Sequence, residues 1–282
     1  MGLRSHRLFN LTKLKFYCII YIESEVINME KKWMDKVAAH YEMACEYNAY
    51  ERAVMFTCLY GSQNYGLATE TSDVDTESYV FPSIRDAAFH RPLLSKELIA
   101  PDGSHVEMKD YRDMFANIRK QSMNFLETLF TPYVVIDKNW QKLYNCLHEK
   151  REELARLDVN RGAMATFGHM CNMYKRYLRD KNPKQVAHLM RLHDVLQRYT
   201  LTDEPYENLL FKPNGLDYLR DVREGKVPAE ELKKLSEVLV AQSEQLVKGL
   251  PKREPNKKTL EWLELIELMS FDEGMRLYYF GD

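Results

Sequence analysis

Leu59-Tyr60-Gly61-Ser62-Gln63-Asn64-Tyr65-Gly66-Leu67-Ala68-Thr69-Glu70-Thr71-Ser72-Asp73-Val74-Asp75-Thr76 is the stretch whose reading decides the fold. The run leading into it, Ala53 to Leu59, is apolar and predicts a buried strand that ends at Gly61. The run from Val74 to Phe81 predicts a second strand, entered through two aspartates one residue apart. A strand, a Gly-Ser turn, a short helix and a strand carrying Asp-x-Asp form the order expected of a phosphate cradle beside a metal site.

Each part has a physical reason. Gly61 lacks a Cβ, so the backbone can turn sharply there and a ligand can approach it closely. Ser62 suits the N-cap of the short helix, where free backbone N–H groups and the helix dipole favour an anion such as a triphosphate. Asp73 and Asp75, at i and i+2 of a strand, point to the same face with Cα atoms roughly 7 Å apart. Two hard oxygen ligands on one face suit Mg²⁺, which fills the rest of its shell with water and substrate phosphate. A Gly-Ser turn alone, or Asp-x-Asp alone, is as readily an ordinary turn or an acidic loop. The ordered combination between two apolar strands is what points to phosphate and metal.

Working outward, apolar residues recur at helical spacing between Glu30 and Arg52 (Trp33, Val37, Ala38, Tyr41, Ala44) and predict an amphipathic helix before the first strand. After Pro82, residues 83–103 read as a mixed segment that ends in the turn signal Asp102-Gly103. Ser104 to Lys109 alternates polar and apolar, so Val106 and Met108 are expected toward the core, with His105, Glu107 and Lys109 on the other face. Glu107 is therefore the expected third carboxylate of the metal site. Tyr111 to Gln121 reads as a helix, Asn124 to Phe130 as an apolar segment with one acid, and Tyr133 to Ile136 as a short strand.

Beyond about residue 138 the pattern becomes helical: 139–157, 161–179, 183–199, 215–223, 228–249 and 258–280, separated by Asn182-Pro183, Pro213-Asn214-Gly215 and Gly249-Leu250-Pro251. Lys184, His188 and Arg191 share one helical face, preceded by Lys175, Arg176, Arg179 and Lys181. That stripe is either a solvated basic face or a set of phosphate ligands brought against the cradle, with arginine offering bidentate contacts. The expected organisation is an N-terminal extension over 1–28, a mixed-sheet domain over 29–137 and a helical domain over 138–282.

Composition narrows the function classes. The 282 residues are 45% hydrophobic, ample for a sizeable core, and the formal net charge of −2 provides no global field for nucleic acid. Five cysteines, Cys18, Cys45, Cys58, Cys146 and Cys171, have no regular spacing and read as reduced cytosolic thiols rather than a disulfide frame or zinc site. The apolar run Phe16 to Ile22 follows Arg4, Arg7, Lys13 and Lys15, but it is short, lacks a small-residue cleavage site and falls far below the ~20 residues of a membrane span. A soluble, cytoplasmic protein without a membrane partner is expected. No Gly-x-x-x-x-Gly-Lys-Ser/Thr, Gly-x-Ser-x-Gly or His-Glu-x-x-His pattern occurs.

Gly61-Ser62, ten residues, Asp73-Val74-Asp75 and a later Val106-Glu107-Met108 together resemble the DNA-polymerase-β-like nucleotidyltransferase superfamily. Within it the run Gly-Ser-x-x-Tyr-Gly-Leu-x-Thr-x-x-Ser-Asp-x-Asp, here Gly61 to Asp75, is similar to a bacterial and phage branch associated with RNA-repair loci (the YcgL/RlaP type). The segment Asn124 to Leu129, the Lys184-x-x-x-His188-x-x-Arg191 helix and the stretch from Tyr218-Leu219-Arg220 to Gly225-Lys226 extend the resemblance over roughly residues 50 to 245.

The resemblance implies an α+β fold, a polymerase-β-like mixed sheet with flanking helices followed by a C-terminal helical bundle. It implies that Asp73, Asp75 and Glu107 are catalytic and bind two divalent ions, Mg²⁺ or Mn²⁺. It places Gly61, Ser62, Tyr65, Lys184, His188 and Arg191 around a nucleoside triphosphate. The implied chemistry is attack of an acceptor on the α-phosphate with release of pyrophosphate, the acceptor being an RNA or transfer-RNA end. A protein hydroxyl, as for an AMP-transferring regulator or toxin-antitoxin partner, is the alternative acceptor, and a catalytically inert nucleotide-binding regulator is the reading from a different class. One departure stands out: Thr76-Glu77 follows Asp75 where the branch often has glycine and a small apolar residue, placing Glu77 on the acidic face.

Overall fold

The computed structural model describes residues 18–19, 27–48, 52–69 and 72–280. Among the described residues six strands form one mixed sheet: β1 (Cys18–Ile19), β2 (Ala53–Tyr60), β3 (Asp75–Phe81), β4 (Ser95–Ile99), β5 (His105–Asp110) and β6 (Val134–Ile136), in the order β1-β6-β2-β3-β5-β4. Only β3 and β5 run parallel, with Glu77 opposite Glu107; the other pairs are antiparallel. The expected α+β arrangement, a mixed sheet with flanking helices followed by helices, is the one the chain adopts. The bulk of the N-terminal extension lies outside the described residues, apart from the Cys18–Ile19 pairing on β6.

Alternation decides the two faces. On β5, Val106 and Met108 are fully buried while His105, Glu107 and Lys109 are half-buried, as the sequence pattern requires. Helix α1 (Ile27–Asn48) covers the Val106 face, where Val37, Tyr41 and Ala44 pack on Leu59, Val80, Val106 and Met108. The opposite face carries Phe56, Cys58, Tyr79 and Phe81 into a larger core. Into that core come α3 (Tyr111–Arg119), α4 (Met123–Glu127), α5 (Gln141–Glu149), α6 (Arg151–Ala155), α7 (Val159–Asp180), α8 (Pro183–Leu201) and α9 (Tyr206–Phe211), together with α12 (Lys257–Met275) and its π-helical continuation Arg276–Phe280. The apolar core thus runs without a break from the sheet into the helical half. Helices α10 (Leu216–Arg223) and α11 (Ala229–Gly249) flank α8, and α2 (Ile84–Ala88) follows β3.

Several elements differ from the sequence reading. No helix follows the Gly-Ser turn: residues 61–66 are successive turns, with Asn64 N–H donating to the Gly61 carbonyl (3.0 Å) and Leu67 N–H to that of Ser62 (3.0 Å). Ser62 is therefore not an N-cap, and the site has no helix N-terminus there. Asp73 is not part of the strand either. The ladder closes at the Tyr60–Asp75 pair because β2 itself ends there, and the backbone before Asp75 is held by the Gln63 side-chain amide donating to the Asp73 carbonyl. Within the segment read as mixed, β4 forms an edge strand and α2 is capped by a reciprocal Ser83–Asp86 capping box.

Candidate functional site

A cavity of about 270 Å³ opens between the front of the sheet and the helices. One wall is Tyr60, Gly61, Ser62, Tyr65, Leu67 and Asp75; the other is His169, Met173, Arg176, Lys184, Gln185, Ala187, His188, Arg191 and Arg223, with Asn124 and Glu127 at the base. The cradle and the Lys184–His188–Arg191 face, over a hundred residues apart in sequence, therefore meet.

The turn is built from several directions. Gly61 has φ +94°, a conformation open to glycine and strained for other L-residues, and Gly66 has φ +70°. Buried Glu127 accepts the Gly61 N–H (2.9 Å) and the Asn64 side-chain amide (2.9 Å) on one oxygen. Asn64 is fixed further by donating to the Leu59 carbonyl (3.2 Å) and accepting the Thr131 hydroxyl (3.0 Å). From the helical half, Arg220 Nε donates to the Gly66 carbonyl (3.1 Å), Arg223 Nη2 to the Ser72 hydroxyl (3.0 Å), and Leu219 packs on Tyr65 and Leu67. The stretch from Tyr218 to Lys226, singled out in sequence, acts in part as a clamp on this loop.

The acids lie on the front of the sheet. Asp75 is half-buried, and burial, then the neighbouring Asp73 charge, raise its pKa against the pull of His105 and Lys184. Asp73 is exposed and just outside the strand. Glu107 accepts the Tyr60 hydroxyl (2.9 Å) and pairs with Lys109 (3.2 Å). Glu77, directly across from Glu107, is buried, and burial and then the Glu107 charge push its carboxyl up to about 8. Its Oε1 has no hydrogen-bond partner. Asp75, Glu77 and Glu107 thus share one face; among the described residues no three His, Cys, Asp or Glu side chains are drawn together closely enough to hold a metal ion.

The opposite wall is cationic. Among the described residues Arg176 and Lys184 have no ion-pair partner, and Arg223 meets a hydroxyl rather than a carboxylate. Arg191 is 1% exposed; its guanidinium lies 3.6 Å above the Tyr65 ring and its Nη2 donates to the Leu210 carbonyl (3.3 Å). His188 packs 5.2 Å from His169 in an edge-to-face pair. Burial, then the charge of Arg191, holds both imidazoles neutral at neutral pH, His169 down to about 4. Of the other basic residues noted in sequence, Arg179 pairs with Asp180 (2.5 Å) and Lys181 sits over Tyr177, away from the cavity.

Sequence reasoning gave no role to Glu127, His169 or Arg223. Glu127 carried one signal, a lone acid in the apolar run Asn124 to Phe130. His169 and Arg223 reach the cavity only through the packing of α7 and α10 on α8, for which the sequence holds no local pattern.

No family model matches the chain, and no curated protein does. Among solved structures the chain is similar to a nucleotidyltransferase-like protein from Exiguobacterium sibiricum 255-15, at 13% identity over 76% of this chain and 74% of that one, with a TM-score of 0.30. No helix among the described residues is long and apolar enough to cross a membrane.

Proposed function

We propose that the chain is a divalent-metal-dependent nucleotidyltransferase that moves a nucleoside monophosphate from a nucleoside triphosphate to an acceptor hydroxyl, an RNA end being the first-choice acceptor. One observation carries the reading: the cavity sets Asp75 on one wall against Arg176, Lys184 and Arg223, cations that have no carboxylate partner among the described residues, on the other. A free cation is repelled by one wall and a free anion by the other. A metal-complexed polyphosphate satisfies both, its phosphates facing the cations and its metal the acids.

The chemistry of the donors suits such a metal: Asp75 and Glu107 are hard oxygen donors on one face that an ion would have to draw together, and Glu77, its carboxyl pushed up to about 8 by burial and the Glu107 charge, stands beside them. Asp75 and Glu107 would hold the ion, with Asp73 beside them. The chemistry such an ion would supply there is a lower pKa for the attacking hydroxyl and charge neutralisation at the leaving oxygen.

The remaining work belongs to this chain's residues. Tyr60 donates to Glu107 and fixes the direction of that carboxylate. Lys184, Arg176 and Arg223 draw the negative charge of the β- and γ-phosphates, which grows as the bond from α-phosphorus to the bridging oxygen breaks. Neutral His188 and His169 offer ring N–H donors without adding charge. The acceptor oxygen forms the new bond to α-phosphorus, its proton passes to solvent, and pyrophosphate leaves.

The test is label transfer from each of four α-labelled nucleoside triphosphates with Mg²⁺ or Mn²⁺, offering total RNA and protein extract in parallel, with Asp75→Ala as control. Label moving to RNA and lost in the variant is the expected result. Label moving to protein instead replaces the acceptor; transfer to neither pool overturns the enzyme reading.

A further inference from the structure

The Gly61 N–H, a donor that a Gly-Ser cradle is expected to offer to phosphate, is taken instead by the carboxylate of Glu127 in the cavity lining. That carboxylate is 4% exposed, and its two oxygens divide their work: Oε1 takes both donors of the turn, while Oε2 stands 3.9 Å from Arg191 Nη2. Arg191 is equally buried, its guanidinium lies 3.6 Å over the Tyr65 ring, and among the described residues its Nε has no partner. Tyr65 in turn is a residue of the loop that the turn begins. Glu127, Gly61, Asn64, Arg191 and Tyr65 therefore make a closed arrangement within the cavity lining, joining α4 and α8 to the cradle.

A carboxylate withdrawn this far from water needs a charge beside it, and Arg191 is the cation nearest to hand. We propose that Glu127 is a positioning residue that sets the Gly61–Asn64 turn, and that Arg191 is its counter-charge, acting on the substrate through Tyr65 and the turn rather than by touching it. The attraction for phosphate then rests on Lys184, Arg176 and Arg223, because the charge of Arg191 is already answered by Glu127.

The assignment makes opposite predictions for the two roles open to Arg191. A phosphate ligand, once removed, is not restored by a second substitution beneath it. A counter-charge, once removed, leaves Glu127 negative under the turn, and neutralising Glu127 then relieves the damage. The experiment is a cycle of Arg191→Met, Glu127→Gln and the double variant in the full chain, with Lys184→Met alone and with Glu127→Gln as reference. The readouts are the dissociation constants of ATP, CTP, GTP and UTP by calorimetry and the midpoint of thermal unfolding.

Arg191→Met alone is expected to weaken binding by ~100-fold and lower the midpoint, and adding Glu127→Gln to recover at least ~10-fold of the affinity together with most of the midpoint. Glu127→Gln gives no recovery in the Lys184→Met background. Arg191→Lys, which keeps the charge but not the planar fork, stays within about 3-fold of the parent in affinity. A double variant that recovers its midpoint but not its affinity, or an Arg191→Lys loss as deep as that of Arg191→Met, overturns the assignment and makes Arg191 a direct ligand. Purely additive midpoints overturn the pairing. The affinity arm rests on the nucleotide reading: if the parent chain binds none of the four nucleotides that reading fails, and the midpoint cycle still decides whether Arg191 answers Glu127.

Discussion

The two faces of strand β3 make a direct comparison. On the back, Thr76 meets His40 (2.9 Å), Ser78 meets Thr57 (2.8 Å), and Val80 packs beneath α1, so each side chain has a partner of its own kind. On the front, Asp75 and Glu77 are carboxyl groups with raised pKa values, Glu77 has an unpartnered oxygen, and Glu107 stands directly across from it. Like charges placed opposite each other across strands destabilise a sheet, and the Glu77 carboxyl, pushed up to about 8, escapes this at neutral pH only by holding its proton. One strand thus carries a face satisfied by the protein and a face left short of positive charge. Such a departure from local consistency is what a functional site is expected to show, and it is the face on which the proposed metal site lies.

The contrast is broken most sharply by Asp75→Asn. Removing a half-buried carboxylate already pressed by Asp73 relieves repulsion, so the melting midpoint is expected to hold or rise while the proposed nucleotidyl transfer falls by ~10³-fold, about 4 kcal/mol of barrier. Parallel melts and label-transfer rates check both halves; a variant that loses stability and activity together removes the distinction between the faces. The mirror experiment is Met108→Ala on the back. Met108 is fully buried against α1, and its truncation is expected to cost about 3 kcal/mol of stability in urea titrations, with the nucleotide KM of the folded fraction unchanged.

A third substitution tests the rim between the faces. Gly61 has φ +94°, yet a Cβ there meets nothing closer than Gln63 Oε1 at 4.0 Å. The cost of Gly61→Ala is therefore backbone strain alone, ~1–2 kcal/mol, read by urea titration. Because the strained residue starts the turn, the nucleotide KM rises with it. A Gly66→Ala variant, at φ +70°, meets Leu216 at 3.5 Å and Arg220 at 3.6 Å, which is ordinary van der Waals contact, so its cost too is expected to be backbone strain alone.

Much of the sheet was legible because its signal is local. The apolar run into Gly61, the alternation of Ser104 to Lys109 and the short run at Tyr133 to Ile136 each carry a strand's own period, and β2, β5 and β6 lie where these patterns put them. β4 was not legible, since Ser95–Ile99 is an edge strand with little buried side chain and so no alternation to read. The Gly-Ser turn was legible as a turn but not in its form: the expected helix is replaced by a knot whose fixing acid, Glu127, lies 66 residues from Gly61. Asp73 and Asp75 were read as a pair on one strand, and it took the end of β2 to separate them. The meeting of cradle and basic helix is likewise a product of packing. The sequence shows which residues have chemistry to offer; their common cavity is set by α7, α8 and α10 coming together over the sheet.

The smallest effect expected is a pH dependence that belongs to the back face. His40 is buried with both ring nitrogens engaged, Nδ1 by Thr76 and Nε2 by Ser104 (2.9 Å each), in a chain that continues through Asp102 to Lys36. Burial, then the Lys36 charge, lowers its pKa to about 4 from the ordinary 6.5, with Asp102 opposing. In the unfolded chain His40 takes its proton near 6.5, so between 6.5 and 4 the unfolded state binds more protons and stability falls as pH drops through that window. Above 6.5 this contribution is fully present; below 4 no more is lost. His169 and His188 shift in the same direction and add to the slope of the parent chain. The test is therefore a difference: urea midpoints at pH 7.5 and pH 5 for the parent and for His40→Asn. The variant is expected to be less stable at pH 7.5 yet to lose less on acidification. An equal loss in both proteins would remove His40 from the acid response and leave that response to the other groups shifted on folding, His148, His169, His188 and His193 among them.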